Sequence, residues 1–294
     1  MEKVSYKTKL LALVTLYHPD LHDAAENILR YIDDVDTLII WDNSPLQERV
    51  REHLQQTLGN YADKIIWKGN GENKGIAMAI NAALHYAAKQ GFDLLLLMDQ
   101  DSQWEDFQTF RLRAEAGYEE KPGQVFCPYI DGNDTFEKRQ EIQPKRYFIT
   151  SGTVIPVKLL QQIGGADESF PVDALDHDLA IRLQMAGAAI VCLTQHTLHH
   201  QVGNACRMGP FHLFTNNYGP ERTYSIARAH LIKYRKHRNW LTAAEKRFII
   251  KEYYLLKFAR ILLAEPQKRQ RLRMFFKGIY DGLTYDLSKT GQCL

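Results

Sequence analysis

The chain has 294 residues, 45% of them hydrophobic, and a formal net charge of only +2. That is enough apolar material for a large core, which excludes a disordered chain. Apolar runs such as 94–98 are far shorter than the roughly 18 residues of a membrane-spanning helix, and the N-terminus MEKVSYKTKLLALVTLYHPD enters a strand pattern without a small-residue cleavage site, so neither a span nor a signal peptide is expected.

The first hundred residues alternate between strand and helix patterns. A strand is expected over Leu10–Leu16, a helix over Leu21–Ile32, a strand over Thr37–Trp41, a helix over Pro45–Leu58 opened by Ser44, and a short strand over Lys64–Trp67. GIAMAINAALHYAAKQG then spaces Ile76, Ala79, Ile80, Ala83, Leu84 and Ala87 at helical intervals and closes on Gly91, before the buried strand Leu94–Met98. Such alternation implies right-handed crossovers and an α/β fold with a mostly parallel sheet flanked by helices.

In open sheets of this kind ligands bind beyond the carboxyl ends of the strands. The predicted exits carry Thr15 and Tyr17, Asp42 and Asn43, Asn73 and Lys74, and Asp99 and Asp101. The first turn, TLYHPD, lacks the GxGxxG fingerprint of dinucleotide cofactors, so a nucleotide is expected as substrate rather than redox cofactor. In LLLLMDQDSQW two carboxylates sit at i and i+2 past a buried strand, an arrangement that offers hard oxygen ligands to one divalent cation. Isolated D-x-D pairs also occur as turns and caps; the position at a strand exit favours the metal clamp.

A second acidic stretch, VDALDHDLAIR, crowds Asp173, Asp176 and Asp178 at the start of an expected helix. Capping of that helix accounts for one aspartate and leaves the others for chemistry. A strand over Ala189–Leu193 is followed by His199 and His200 in HHQVG, where a histidine within reach of the cation would be its nitrogen ligand.

Residues 221–280 hold 16 Lys and Arg against 4 acids, a net of +12, and residues 281–294 carry −1, leaving −9 for residues 1–220. This basic, aromatic segment contains Thr242-Ala-Ala-Glu245, a capping box that opens a helix. Two readings stand: a helical tail packed on the body with a solvated basic face, or a surface that adsorbs to anionic membrane. Nucleic acid is not expected as a partner. The four cysteines lie far apart without a CxxC pair, as expected of reduced thiols.

The set VTLYHP, WDNS, GENKGIAMAIN, LLLLMDQDS, SGTVIP, FPVDALDHDLAIRLQMAG and HHQVG resembles the inverting family-2 glycosyltransferases of the GT-A fold, most closely the bacterial rhamnosyltransferases, over about residues 8–205. The resemblance implies a GT-A domain over 1–220, with a nucleotide-binding half at about 8–104 and an acceptor half at about 105–220, followed by the helical segment 221–294. It implies that Thr15, Tyr17 and Asp42 line the nucleotide pocket, that Asn73 and Lys74 hold the donor's nucleotide and diphosphate, and that Asp99 and Asp101, with His200, carry Mg2+ or Mn2+. Asp176 aligns with the general base; Asp178 and Arg182 are acceptor-side or supporting residues. The implied donor is dTDP-L-rhamnose, with a UDP-hexose or UDP-galactofuranose as runner-up, and the implied acceptor is a glycan or lipid-linked glycan of a bacterial surface polysaccharide. The expected location is the cytoplasm, including the inner face of the plasma membrane.

Two other classes compete. A metal phosphohydrolase would gather Asp99, Asp101, Asp176, Asp178 and His200 around two cations. A non-enzymatic basic surface module would leave the acids at the strand exits without a role.

Overall fold

The structure, a computed structural model, describes residues 5–45, 47–132, 134, 140–200, 206–209 and 212–290. The strands and helices expected in the first hundred residues form in order: β1 (Leu10–Leu16), α1 (Leu21–Leu29), β2 (Thr37–Asp42), α2 (Gln47–Thr57), β3 (Ile65–Lys68), α3 (Gly75–Gln90) and β4 (Leu94–Asp99). The expected continuation of α1 to Ile32 instead breaks into a 3-10 turn over Ile32–Asp34. Gly91 closes α3 in the left-handed conformation at φ 70°, as expected of a glycine C-cap.

Then follow β5 (Ser102–Trp104), α4 (Phe107–Glu120), β6 (Gln124–Ile130), β7 (Ile142–Pro144), β8 (Thr153–Pro156), α5 (Val157–Gln162), α6 (Leu175–Met185), β9 (Ala189–His200), β10 (Cys206–Met208) and β11 (Leu213–Thr215). The C-terminal helices are α7 (Pro220–Lys236), α8 (Ala243–Ile250), α9 (Lys257–Leu263) and α10 (Lys268–Thr284), with a π-helical stretch over Lys251–Leu256 joining α8 to α9.

Among the described residues one sheet runs β3-β2-β1-β4-β8-β6-β9-β5, with β7 on β9. β3, β2, β1 and β4 are parallel, and β8 is antiparallel to both β4 and β6. The strands of the first half are apolar on both faces because helices cover both. Leu11, Leu13, Leu95 and Leu97 face the core beneath α3, α5 and α6, whereas Leu10, Ala12, Val14, Leu94, Leu96 and Met98 face the core of α1, α2 and α4.

The C-terminal helices are built into this body. Lys236 of α7 bridges Asp167 and Asp178 at 2.5 and 2.7 Å, and Arg228 donates to the Ser169 carbonyl at 3.0 Å. α10 lies tightly along α7 because Gly278 presents no side chain; a Cβ there would fall 2.5 Å from the Tyr224 carbonyl oxygen. No helix among the described residues is long and apolar enough to cross a membrane.

Candidate active site

β1 and β4 run side by side with Thr15 opposite Asp99, so the first and fourth strand exits meet. Gln100, the middle residue of the DQD triplet, accepts from the Tyr17 N–H at 2.7 Å and donates to the Tyr17 carbonyl at 3.2 Å. Its own carbonyl accepts from Asn27 Nδ2 at 3.0 Å, and the Asp99 N–H donates to Ser151 Oγ at 3.1 Å. Those contacts hold the two carboxylates on a rigid turn.

His200 reaches that turn because β9 is longer than its expected Ala189–Leu193 span. It continues through His200, and its antiparallel register with β5 sets Ser102 opposite His200. Ser102 Oγ lies 2.8 Å from His200 Nδ1 and accepts from Ser151 Oγ at 2.7 Å. Asp99, Asp101 and His200 each bring a donor atom within 4.8 Å of the others. Neighbouring His199 instead pairs with Glu105 and Asp131. Residues 201–203 of the HHQVG motif lie outside the described residues.

Removal from solvent pushes the Asp99 carboxyl up to about 6; His200 opposes this, and Asp101 and Asp176 add to it. Two carboxylates held together against that cost, with an imidazole beside them, form a donor set of two hard oxygens and a nitrogen that fits Mg2+ or Mn2+.

This triad opens into a cleft of about 640 Å³ that Thr15, Tyr17, Asn43 and Asn73 also line, together with Asp173, Asp176 and His177. Asp42 is only 2% exposed and is not among the lining residues; its Oδ1 accepts the Ser44 N–H at 2.8 Å. Asn43 lines the cleft beside it, accepting with Oδ1 from Trp41 Nε1 and the Lys74 N–H. Lys74 lies outside the lining and its ammonium pairs with Glu72 at 3.3 Å.

The three aspartates of the acidic stretch have separate fates, and none caps α6, whose N-cap Ala174 is left-handed and has no side-chain cap. Asp173 pairs with Arg222 of α7 at 3.0 Å. Asp178 is fully buried and holds Arg182, Lys236 and His237 at 2.6 to 2.7 Å. Burial resists its ionisation, but these three partners hold its carboxyl well below the usual range. Arg182 also donates to the Ile163 and Gly165 carbonyls. Asp178 and Arg182 therefore tie α6 to α7 and to the preceding loop, outside the cleft lining. The five-residue, two-cation cluster is not assembled: among the described residues the grouping comprises Asp99, Asp101 and His200.

Asp176 lines the cleft beside Asp173 and pairs with the neighbouring His177. His177 donates its N–H to Asp176 Oδ1 at 2.8 Å and places Nδ1 3.0 Å from the same oxygen. Burial raises the Asp176 pKa, but His177 and, at longer range, Lys233 outweigh it and keep the carboxyl below its ordinary value.

Further lining comes from Asn216 and Tyr218, in the loop before α7, and from Arg222, Ile226, His230 and Tyr253 of the C-terminal segment. The segment's basic and aromatic composition was legible in the sequence, but composition does not say which surface a helix face meets. Among the described lining residues Arg222 is the only Lys or Arg.

This architecture is that of the GT-A glycosyltransferases. The chain matches a mannosyltransferase of Pyrobaculum calidifontis, solved with GDP-Man and Mn2+, at TM-score 0.59 and 15% identity over 97% of this chain and 78% of that one. It matches S. aureus TarS 1-349, solved with UDP-GlcNAc, at TM-score 0.53 and 15% identity over 92% and 81% of the two chains. In sequence it is similar to the dTDP-rhamnosyl transferase RfbF of Shigella flexneri, at 22% identity over 214 residues, 67% of this chain and 70% of that protein. No protein-family model matches the chain. The resemblance to rhamnosyltransferase-like family-2 enzymes is thus supported by a curated relative as well as by the fold.

Proposed function

We propose that this chain is an inverting glycosyltransferase that moves a sugar, L-rhamnose by preference, from a nucleotide-diphosphate donor to a hydroxyl of a growing, lipid-linked bacterial surface polysaccharide. The observation that carries the proposal is the lining of one cleft by both the Asp99, Asp101 and His200 triad and the half-buried, ionised Asp176. The RfbF similarity favours dTDP-L-rhamnose, and a UDP-hexose or UDP-galactofuranose is the alternative.

Thr15, Tyr17, Asn43 and Asn73 would receive the nucleotide, with Asp42 buttressing the turn behind Asn43. A divalent cation held by Asp99, Asp101 and His200 would supply neutralisation of the departing diphosphate. Arg222 faces the same cleft, whereas Lys74 would reach the diphosphate only by leaving Glu72. Asp176, kept ionised, accepts the proton of the acceptor hydroxyl as its oxygen bonds to the anomeric carbon. The bond from that carbon to phosphate oxygen breaks, its electron pair leaving with the diphosphate. Attack from the face opposite the leaving group inverts the anomeric centre, and no glycosyl-enzyme intermediate forms.

Access to a lipid-linked acceptor is supported by the outer surface of the C-terminal helices. Phe248, Leu255, Phe276 and Tyr280 are exposed there, within the segment 221–280 that carries +12. Apolar side chains among lysines and arginines suit an anionic membrane interface.

The reading is tested by titrating dTDP-, UDP- and GDP-sugars with Mn2+ or Mg2+ and following the anomeric proton of any glycoside formed by NMR. Inversion with a dTDP-sugar is expected; a retained configuration, or phosphate-ester hydrolysis without transfer, defeats it.

A further inference from the structure

Resting on the transferase reading, we propose that His230 and Tyr253 form the subsite that receives the acceptor's own sugar ring, with His230 Nδ1 pairing with a hydroxyl close to the one that attacks. These residues come from α7 and from the π-helical stretch at 251–256, an irregularity that recurs at functional sites. Their rings stack at 3.4 Å between centroids with 16° between planes, and both line the cleft.

His230 is 4% exposed, and its Nδ1 has no hydrogen-bond partner among the described residues. A buried polar nitrogen left without a partner is costly, and the side chain that carries it lines the cleft. Burial, reinforced by Lys233 and His177, drives its pKa well below the ordinary value. The ring is therefore neutral and offers one accepting nitrogen and one N–H. Burial likewise raises the Tyr253 pKa, with Asp176 adding to it, so Tyr253 keeps its hydroxyl proton as a donor.

The chemistry around this pair matches a polyol. His177 stands 6.4 Å from His230, ring to ring, and holds Asp176. A pyranose that offers one hydroxyl to Asp176 has neighbouring hydroxyls that both donate and accept. The imidazole and the phenol complement both roles, which an ammonium or a carboxylate would not. His230 thus selects the acceptor and positions it, while proton transfer stays with Asp176.

The test uses the full chain with dTDP and Mn2+ present and a panel of octyl pyranosides (glucoside, galactoside, N-acetylglucosaminide, rhamnoside), read by saturation-transfer NMR and titration. His230→Phe keeps a ring against Tyr253 and removes both nitrogens; His230→Asn restores a polar atom near the Nδ1 position; Tyr253→Phe removes only the hydroxyl. At least one glycoside should bind the wild type, and His230→Phe should weaken it by up to about tenfold, the scale of one hydrogen bond. His230→Asn should recover part of the loss, and dTDP affinity should not change in any variant. Thermal melting confirms that each variant is folded. Equal glycoside affinity in His230→Phe, or no glycoside bound by wild type, overturns the subsite. Failure of dTDP, UDP and GDP all to bind wild type with Mn2+ would instead overturn the transferase reading.

Discussion

Ser102 Oγ stands 2.8 Å from His200 Nδ1, and Ser151 Oγ donates to Ser102 at 2.7 Å while receiving the Asp99 N–H at 3.1 Å. One serine pair therefore fixes both the imidazole and the turn that carries the first carboxylate. Partners behind a ligand typically control about 10- to 100-fold in metal affinity. Ser102→Ala is expected to weaken Mn2+-dependent nucleotide binding within that range, measured by calorimetry with dTDP; unchanged Mn2+ dependence would remove the serine from the site.

Asp101 is half exposed, with its Oδ1 3.7 Å from His200 Nδ1. Asp101→Ala should leave the melting temperature of the free protein near wild type and abolish the added stabilisation by Mn2+ plus dTDP. An undiminished ligand-induced shift would refute the shared cation.

Asp176 and Asp178 lie two positions apart and should respond oppositely. If Asp176 is the proposed base, Asp176→Asn is expected to keep the fold and donor binding and to lose transfer by on the order of 10² to 10⁴-fold, the scale of one positioned base. Asp178→Asn leaves Arg182, Lys236 and His237 around an uncharged amide, and breaking a buried ion pair of this kind costs about 3–5 kcal/mol. Denaturant unfolding alongside a transfer assay separates the two; a stable, inactive Asp178→Asn would move the base.

Glu245 joins Thr242 in the expected capping box and also accepts from Arg146 and Tyr147 at 2.5 Å. Burial opposes its ionisation, but these partners and Thr242 lower its pKa from 4.5 to about 2. A depressed folded-state pKa contributes stability above pH 4.5 that is lost as pH falls toward about 2. Glu245→Gln retains a capping side chain but not that acid dependence. Melts across this acid range should therefore be flatter for Glu245→Gln than for wild type; parallel curves would exclude the contribution.

The exposed aromatics of the C-terminal helices should bring the chain onto anionic vesicles and release it as salt rises, since screening shortens to about 8 Å at physiological ionic strength. Flotation with Phe276→Ser and Tyr280→Ser should show reduced binding. Equal binding to neutral vesicles would replace the electrostatic account with simple insertion.

The first half of the fold was legible because each strand there is apolar on both faces and each helix repeats at 3.6 residues. The strand pattern alone therefore placed Thr15, Asp99 and Asp101 at the exits of β1 and β4, where they line one cleft. A carboxylate at a strand exit reads the same in sequence whether it faces ligand or buttresses a turn: Asp42 is buried and accepts the Ser44 N–H, while the neighbouring Asn43 lines the cleft. His200 lies beside Asp99 and Asp101 because its strand runs past the expected end at Leu193; the polar TQHTLHH that completes it breaks the apolar pattern, while β5 and β6 still pair with it. The role of Asp178 depends on Lys236 and His237, some sixty residues away. Local pattern carries no record of such a pairing, nor of His230 and Tyr253 reaching the cleft.

The Pro171 carbonyl accepts the Ile76 N–H at 2.6 Å, and a Cβ on Gly75 would fall 2.5 Å from that same oxygen, at a glycine whose φ is 79°. The first turn of α3 and the loop leading to Asp173 and Asp176 are thus fastened by main-chain atoms. Side-chain exchange can retune what either wall recognises without altering the spacing between them, whereas any residue larger than glycine at position 75 would change that spacing directly. The lining of this cleft is therefore open to gradual variation, and the gauge between its two walls is not.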